Sequence, residues 1–106
     1  MDSEIKAKYQ ARAKIIKSMA HPTRLFIVDI LAQKELSVGD LTDMIGADVS
    51  TVSKHLSILK NAAIVRDEKR GTQVFYSLSV PCVLNFFSCV ESVIKSSVEE
   101  QIKIAR

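Results

Sequence analysis

The sequence predicts a mainly α fold of about five helices with one small β-hairpin. Apolar residues recur at three- and four-residue steps over most of the chain, and this gives way once, between Ala63 and Ser79, to a two-residue alternation. The breaks fall at His21-Pro22, Gly46 and Pro81, residues that stop or start helices. A chain of 106 residues has room for one domain with a modest core and none for a separate ligand domain. With 47% apolar and 25% charged residues, it is a folding sequence rather than a disordered one.

Residues 3–20 make the first expected helix, with Ile5, Tyr9, Ala13, Ile16 and Met19 or Ala20 along one face and Lys6, Lys8, Arg12, Lys14 and Lys17 elsewhere. Pro22 suits the first turn of a second helix, which runs through Leu25, Phe26, Val28, Ile30 and Leu31 to about Lys34. Ser37 precedes a short third helix from Val38 to Ile45. Asp40 acts there as a weaker capping-box partner, Leu41, Met44 and Ile45 are expected to face inward, and Gly46 closes the helix. A fourth helix starts near Val49 or Ser50 and directs Val52, Leu56 and Leu59 to the core. Ile64 and Val65 then begin a strand, the charged residues 67–72 form a turn, and Val74, Tyr76 and Leu78 alternate with Phe75, Ser77 and Ser79 in a second strand. Pro81 opens a last helix whose apolar stripe, Val83, Phe86, Phe87, Val90, Val93, Ile94, Val98 and Ile102, requires a partner.

Helix, tight turn and helix over 37–61, followed by a hairpin over 63–79, is the order of a winged helix-turn-helix. Such a unit places the exposed face of its second helix in the major groove, where short polar and cationic side chains reach base edges. Ser50, Thr51, Ser53, Lys54 and His55 fit that helix by type and spacing. Lys69, Arg70, Thr72 and Gln73 at the hairpin tip suit flanking phosphates or a minor groove. Charge agrees: residues 50–73 hold Lys54, Lys60, Arg66, Lys69 and Arg70 against Asp67 and Glu68, while the remainder balances. A basic patch alone is equally a solvated surface, so the structural context carries the reading.

The segments His21-Pro22-Thr23-Arg24, Val52-Ser53-Lys54-His55-Leu56-Ser57-Ile58-Leu59-Lys60, Ala63-Ile64-Val65 and Arg70-Gly71-Thr72-Gln73-Val74-Phe75-Tyr76-Ser77-Leu78 resemble the ArsR/SmtB repressors over nearly the whole chain. The resemblance implies a homodimer held by the first and last helices, residues 1–20 and 81–106, and a repressor that leaves its operator when an inducer, often a metal ion, binds. Double-stranded DNA with an inverted-repeat operator is then the expected partner, because one module of this size contacts too few bases to be selective.

Many metal-sensing members carry Cys-x-Cys where this chain has Ser37 and Gly39, so that thiolate site is missing. Zinc sensors place ligands at positions that here are Val80, Cys82, Val93 and Ser96, and only Cys82 is a good ligand among them. Cys82 and Cys89 remain as candidates for metal or redox sensing. Seven residues apart on one helix, they are separated by about 10.5 Å of rise, too far to form a disulfide within the chain. Cys82, expected in the first helical turn, sits where a helix dipole makes a thiol more reactive. The antiparallel pairing of last helices that the resemblance implies would bring Cys89 toward its symmetry mate. Free cysteines are also commonly small buried hydrophobes, and the sequence leaves three readings open. These are a structural role, ligation of a soft metal or metalloid ion by thiolates, and oxidation by a reactive sulfur or oxygen species.

His21 and His55 belong to a helix start and to the recognition helix, and are better explained there than as metal ligands. No nucleophile elbow, phosphate loop or HExxH helix points to an enzyme. A regulator without metal or thiol sensing, and an interaction module that no longer binds DNA, are the alternatives. The N-terminus has no apolar signal core, and no stretch approaches the roughly 18 uncharged residues of a membrane span, so a cytoplasmic protein with no membrane partner is expected.

Overall fold

The computed structural model describes residues 1–105, so position 106 of the last expected helix lies outside the described residues. Five helices and three short strands follow in the order α1 (Ser3–Met19), α2 (Pro22–Leu31), β1 (Leu36–Ser37), α3 (Val38–Ile45), α4 (Val49–Asn61), β2 (Val65–Arg70), β3 (Gln73–Leu78) and α5 (Val83–Ala105). Among the described residues, no helix is long and apolar enough to cross a membrane.

Local chemistry sets the boundaries. Asp2 caps α1 by accepting from the Ile5 N–H, and Pro22 opens α2, which ends at Leu31, three residues before the expected Lys34. Ser37 and Asp40 form a reciprocal capping box: the Ser37 Oγ accepts from the Asp40 N–H at 3.1 Å, and Asp40 Oδ2 accepts from the Ser37 N–H at 3.3 Å. Gly46 ends α3 with a left-handed φ of 76°, a conformation that costs a side-chain-bearing residue energy. Helix α4 ends in a Schellman motif, where the Ile64 N–H reaches the Leu59 carbonyl and the Ala63 N–H reaches the Lys60 carbonyl. Its left-handed residue is Ala63, with φ of 61°, so Ala63→Gly should relieve strain and raise stability by roughly 0.5–1 kcal/mol in denaturant unfolding.

The strands form one antiparallel sheet in the order β1-β3-β2, with Leu36 opposite Tyr76 and Val65 opposite Leu78. Strand β2 runs through the charged residues to Arg70, which the sequence pattern assigns to a turn, and the actual turn is Gly71-Thr72 alone. As an edge strand, β2 keeps Arg66, Glu68, Lys69 and Arg70 exposed and Asp67 half-buried while its backbone pairs with β3. A two-residue hairpin of this kind needs positive φ at its first position, which Gly71 supplies at 64°.

The core collects Met19 of α1, Ile27, Val28 and Leu31 of α2, Leu36, Leu41, Val52, Leu56 and Leu59, and Ile64, Val65 and Tyr76 of the hairpin region. Met44, expected inside, is 48% exposed; it lies beside Phe26 and Pro22 at the surface. Helix α3 is only two turns long, so Leu41 and the half-buried Ile45 take up its inner face.

Helices α1 and α5 are only partly used by this core. Ile5, Tyr9 and Ile16 on α1, and Phe86, Val90, Val93, Ile94, Val98 and Ile102 on α5, are all at least two-fifths exposed. The radius of gyration, 16.9 Å, exceeds the roughly 13 Å of a compact domain of this length. One protomer thus presents long apolar faces that its described residues cover only in part.

Candidate nucleic-acid interface

Three elements set the exposed face of α4. Its inner residues Val52, Leu56 and Leu59 are fully buried, which fixes the helix's rotation about its axis. The tight turn after Gly46 holds its start at a set angle to α3. Asp48 caps it: Oδ1 accepts from the Thr51 N–H at 2.7 Å and from the Ser50 hydroxyl at 2.9 Å. Those hydrogen bonds, led by the Thr51 N–H, hold the Asp48 carboxyl below its ordinary range, so it stays ionised and complements the helix dipole.

Of the five residues that the sequence assigns to this helix, Ser50, Thr51 and Lys54 are exposed, and Ser53 is half-buried beside them. His55 differs. Its half-buried ring lies 4.6 Å from the His21 ring, and its Nδ1 is 3.0 Å from Nη1 of Arg24. Because an arginine can only donate, Nδ1 accepts and the ring proton of the neutral form sits on Nε2. Arg24 in turn donates from Nε to the Ser18 carbonyl at 2.6 Å. His55 and Arg24 thereby tie α4 to α2 and to the end of α1, so His55 orients the recognition helix from behind its exposed face.

Burial, then the positive charges of His21 and Arg24, push the His55 pKa below its ordinary 6.5. A histidine with a depressed pKa in the fold contributes nothing above pH 6.5, where both states are neutral. Below it the unfolded chain binds the proton first, so stability falls with acid and levels off once the folded state titrates. Melting temperature should therefore decline between pH 7.5 and 5.5, and His55→Gln should flatten that decline. Equal declines in both proteins would contradict the role of this histidine. The losses from Asp48 and Glu35, whose pKa values are depressed carboxylate values, belong to a lower window, below about pH 4.5.

At the hairpin, Lys69, Thr72 and Gln73 are exposed around the Gly71-Thr72 turn. Arg70 is held differently from the other tip residues. Its guanidinium pairs with both carboxylate oxygens of Glu35, donates to Glu68 at 2.8 Å and lies over the Phe75 ring at 4.9 Å. These partners hold its pKa further above the already high arginine value. The bidentate pair fastens the hairpin to the segment before β1, and it neutralises a cation that the sequence assigns to phosphate. Lys60 is likewise paired with Asp67 at 2.9 Å, leaving Lys54, Arg66 and Lys69 as the segment's cations without an ion pair among the described residues.

The two thiols are both exposed, and neither is a core residue of the protomer. Cys82 does not lie in the first turn of α5 as expected; it is the residue before it. The Val83, Leu84 and Asn85 N–H groups bond to the Val80, Pro81 and Cys82 carbonyls, a run of tight turns that carries the chain into the helix. Cys82 borders an apolar groove with Ile15, Met19 and Phe86, and Cys89 stands along α5. Among the described residues, no three His, Cys, Asp or Glu side chains cluster closely enough to hold a metal ion. A four-donor zinc site of the usual kind is therefore not assembled within the described residues of one protomer.

The family model described as bacterial regulatory protein, arsR family, matches residues 21–67, from the N-cap of α2 into β2. The transcriptional repressor SdpR of Bacillus subtilis is 31% identical over 81 residues, spanning 70% of this chain and 90% of its own. The crystal structure of NolR from Sinorhizobium fredii superposes with a TM-score of 0.80 at 28% identity, covering 88% of this chain and 93% of that one. A homodimeric winged helix-turn-helix DNA-binding domain from Mycobacterium bovis, solved in solution, gives 0.78 at 28% identity over 94% and 93% of the two chains.

Proposed function

The chain belongs to the arsR family of bacterial regulatory proteins and is a DNA-binding transcriptional repressor rather than an enzyme, and from that premise we propose that it binds an inverted-repeat operator as a homodimer through α4 and the β2-β3 wing. The observation that carries this reading is the division of α4 into two faces: one is locked into the core by Val52, Leu56 and Leu59, and the other offers Ser50, Thr51, Ser53 and Lys54 to a groove. Lys69, Thr72 and Gln73 meet backbone phosphates beside it, Arg70 steadies the wing, and the apolar faces of α1 and α5 pair the protomers.

Selection of bound duplexes from a random library tests this. Enriched sequences should contain two inverted half-sites centred about 10 base pairs, or a multiple of that, apart. Enrichment of single or directly repeated sites would contradict it.

Release from DNA is the finer half of the proposal. We propose that it proceeds by modification of the Cys82 and Cys89 thiols by a reactive sulfur or oxygen species, a reading supported by the exposure of both side chains. Peroxide or persulfide should dissociate the wild-type protein from duplex DNA and leave the Cys82→Ser/Cys89→Ser variant bound. An unchanged response in that variant would remove the thiols from the account.

A further inference from the structure

Residues 1–20 carry Lys6, Lys8, Arg12, Lys14 and Lys17 against Asp2 and Glu4, the same excess of positive charge as residues 50–73. The two groups are held differently. Lys60 and Arg70 of the second group are neutralised by Asp67, Glu35 and Glu68, whereas none of the five cations of the first forms an ion pair among the described residues.

At 100° per residue, Lys6, Gln10, Lys14 and Lys17 fall within about 80° of arc on α1. The exposed apolar residues Ile5, Tyr9 and Ile16 lie on a different flank, and Ser18 and Met19 face the core. Lys14 and Lys17 line a groove together with Ile58 and Asn61, which stand at the C-terminal end of α4. On α4 itself, Ser50, Lys54, Ser57 and Asn61 follow one another at steps of three and four, so the outward stripe of the recognition helix ends where the two lysines begin.

From this continuity we infer that the basic flank of α1 is a second phosphate-binding surface, which extends the duplex contact past the end of the recognition helix. The inference rests on the DNA-binding reading of α4. Lysines suit the task as mobile point charges that need no fixed geometry, and duplex DNA offers a phosphate charge about every 1.7 Å along its axis. The flank holds no aromatic side chain on which an unpaired base could stack, which favours duplex over single strands.

The test compares Lys14→Gln/Lys17→Gln with Lys8→Gln/Lys103→Gln, which removes the same charge elsewhere, and with Lys54→Ala. Each protein is titrated against a random-sequence duplex of about 40 base pairs at salt from about 50 to 200 mM. The α1 double variant should bind several-fold more weakly, and its log–log salt slope should shrink by about 0.9 for each phosphate that is no longer neutralised. Lys14→Arg/Lys17→Arg should restore both, and melting temperatures should match throughout. If the α1 variant behaves like the charge-matched control while Lys54→Ala still weakens binding, the α1 surface is overturned and the recognition helix stands. If the wild-type protein does not bind the duplex at all, both fall together.

Discussion

Val90→Glu should convert the homodimer to monomers and take DNA affinity down with it. Val90 is 41% exposed midway along α5, between Phe86 at 48% and Ile94 at 53%, on a face that the described residues cover only in part. These three residues line one open groove together with Ile16 and Met19 of α1 and Phe87 of α5. Pairing two such faces removes a contiguous apolar surface from water, and that burial is the main favourable term in association. A glutamate at this point would enter the interface as an unpaired charge on each protomer, at a cost of several kcal/mol. A monomer reads one half-site, so affinity for an operator should fall toward the non-specific level, a drop of roughly 10³-fold or more. Sedimentation and duplex titration on the same sample check both effects. A dimer that still binds fully would show that α5 does not form the interface.

Leu56→Ala should have the largest effect on stability. Leu56 is fully buried on the inner face of α4, within one turn of Val52 and Leu59. Truncating it removes transfer energy and leaves a cavity at the place where the recognition helix is anchored, for a destabilisation of about 2–5 kcal/mol. Against a total stability of about 5–15 kcal/mol for a domain, this is a substantial fraction. Denaturant unfolding should show a lower midpoint at an unchanged slope. A change below about 0.5 kcal/mol, typical of surface positions, would contradict this packing.

Much of this molecule is legible in the sequence because its signals are local. Pro22 and Gly46 bound helices as read, the Ser37-Asp40 capping box forms, and the buried residues of α4 fall at the spacing expected, whereas Pro81 lies in the turn two residues before α5 rather than opening it. The interactions that adjust the interface are not local. Glu35 reaches Arg70 across 35 residues and Arg24 reaches His55 across 31, and no pattern in one sequence announces such pairs. They change the reading most: Arg70 fastens the wing, and His55 braces α4 from behind. Strand β1 is invisible to the pattern because two residues make no alternation; pairing with Phe75 and Tyr76 is what defines it. The lysines of α1 are plain in the sequence but have no purpose there, since only the folded chain brings Lys14 and Lys17 beside Asn61.

The most direct measurement for a DNA-binding dimer is the salt dependence of its binding to duplex DNA. The logarithm of affinity should fall linearly with the logarithm of salt concentration, with a slope reporting several phosphate contacts per dimer, and Lys54→Ala should weaken binding at every salt. No measurable binding at about 50 mM salt, or an affinity indifferent to salt, would contradict the account.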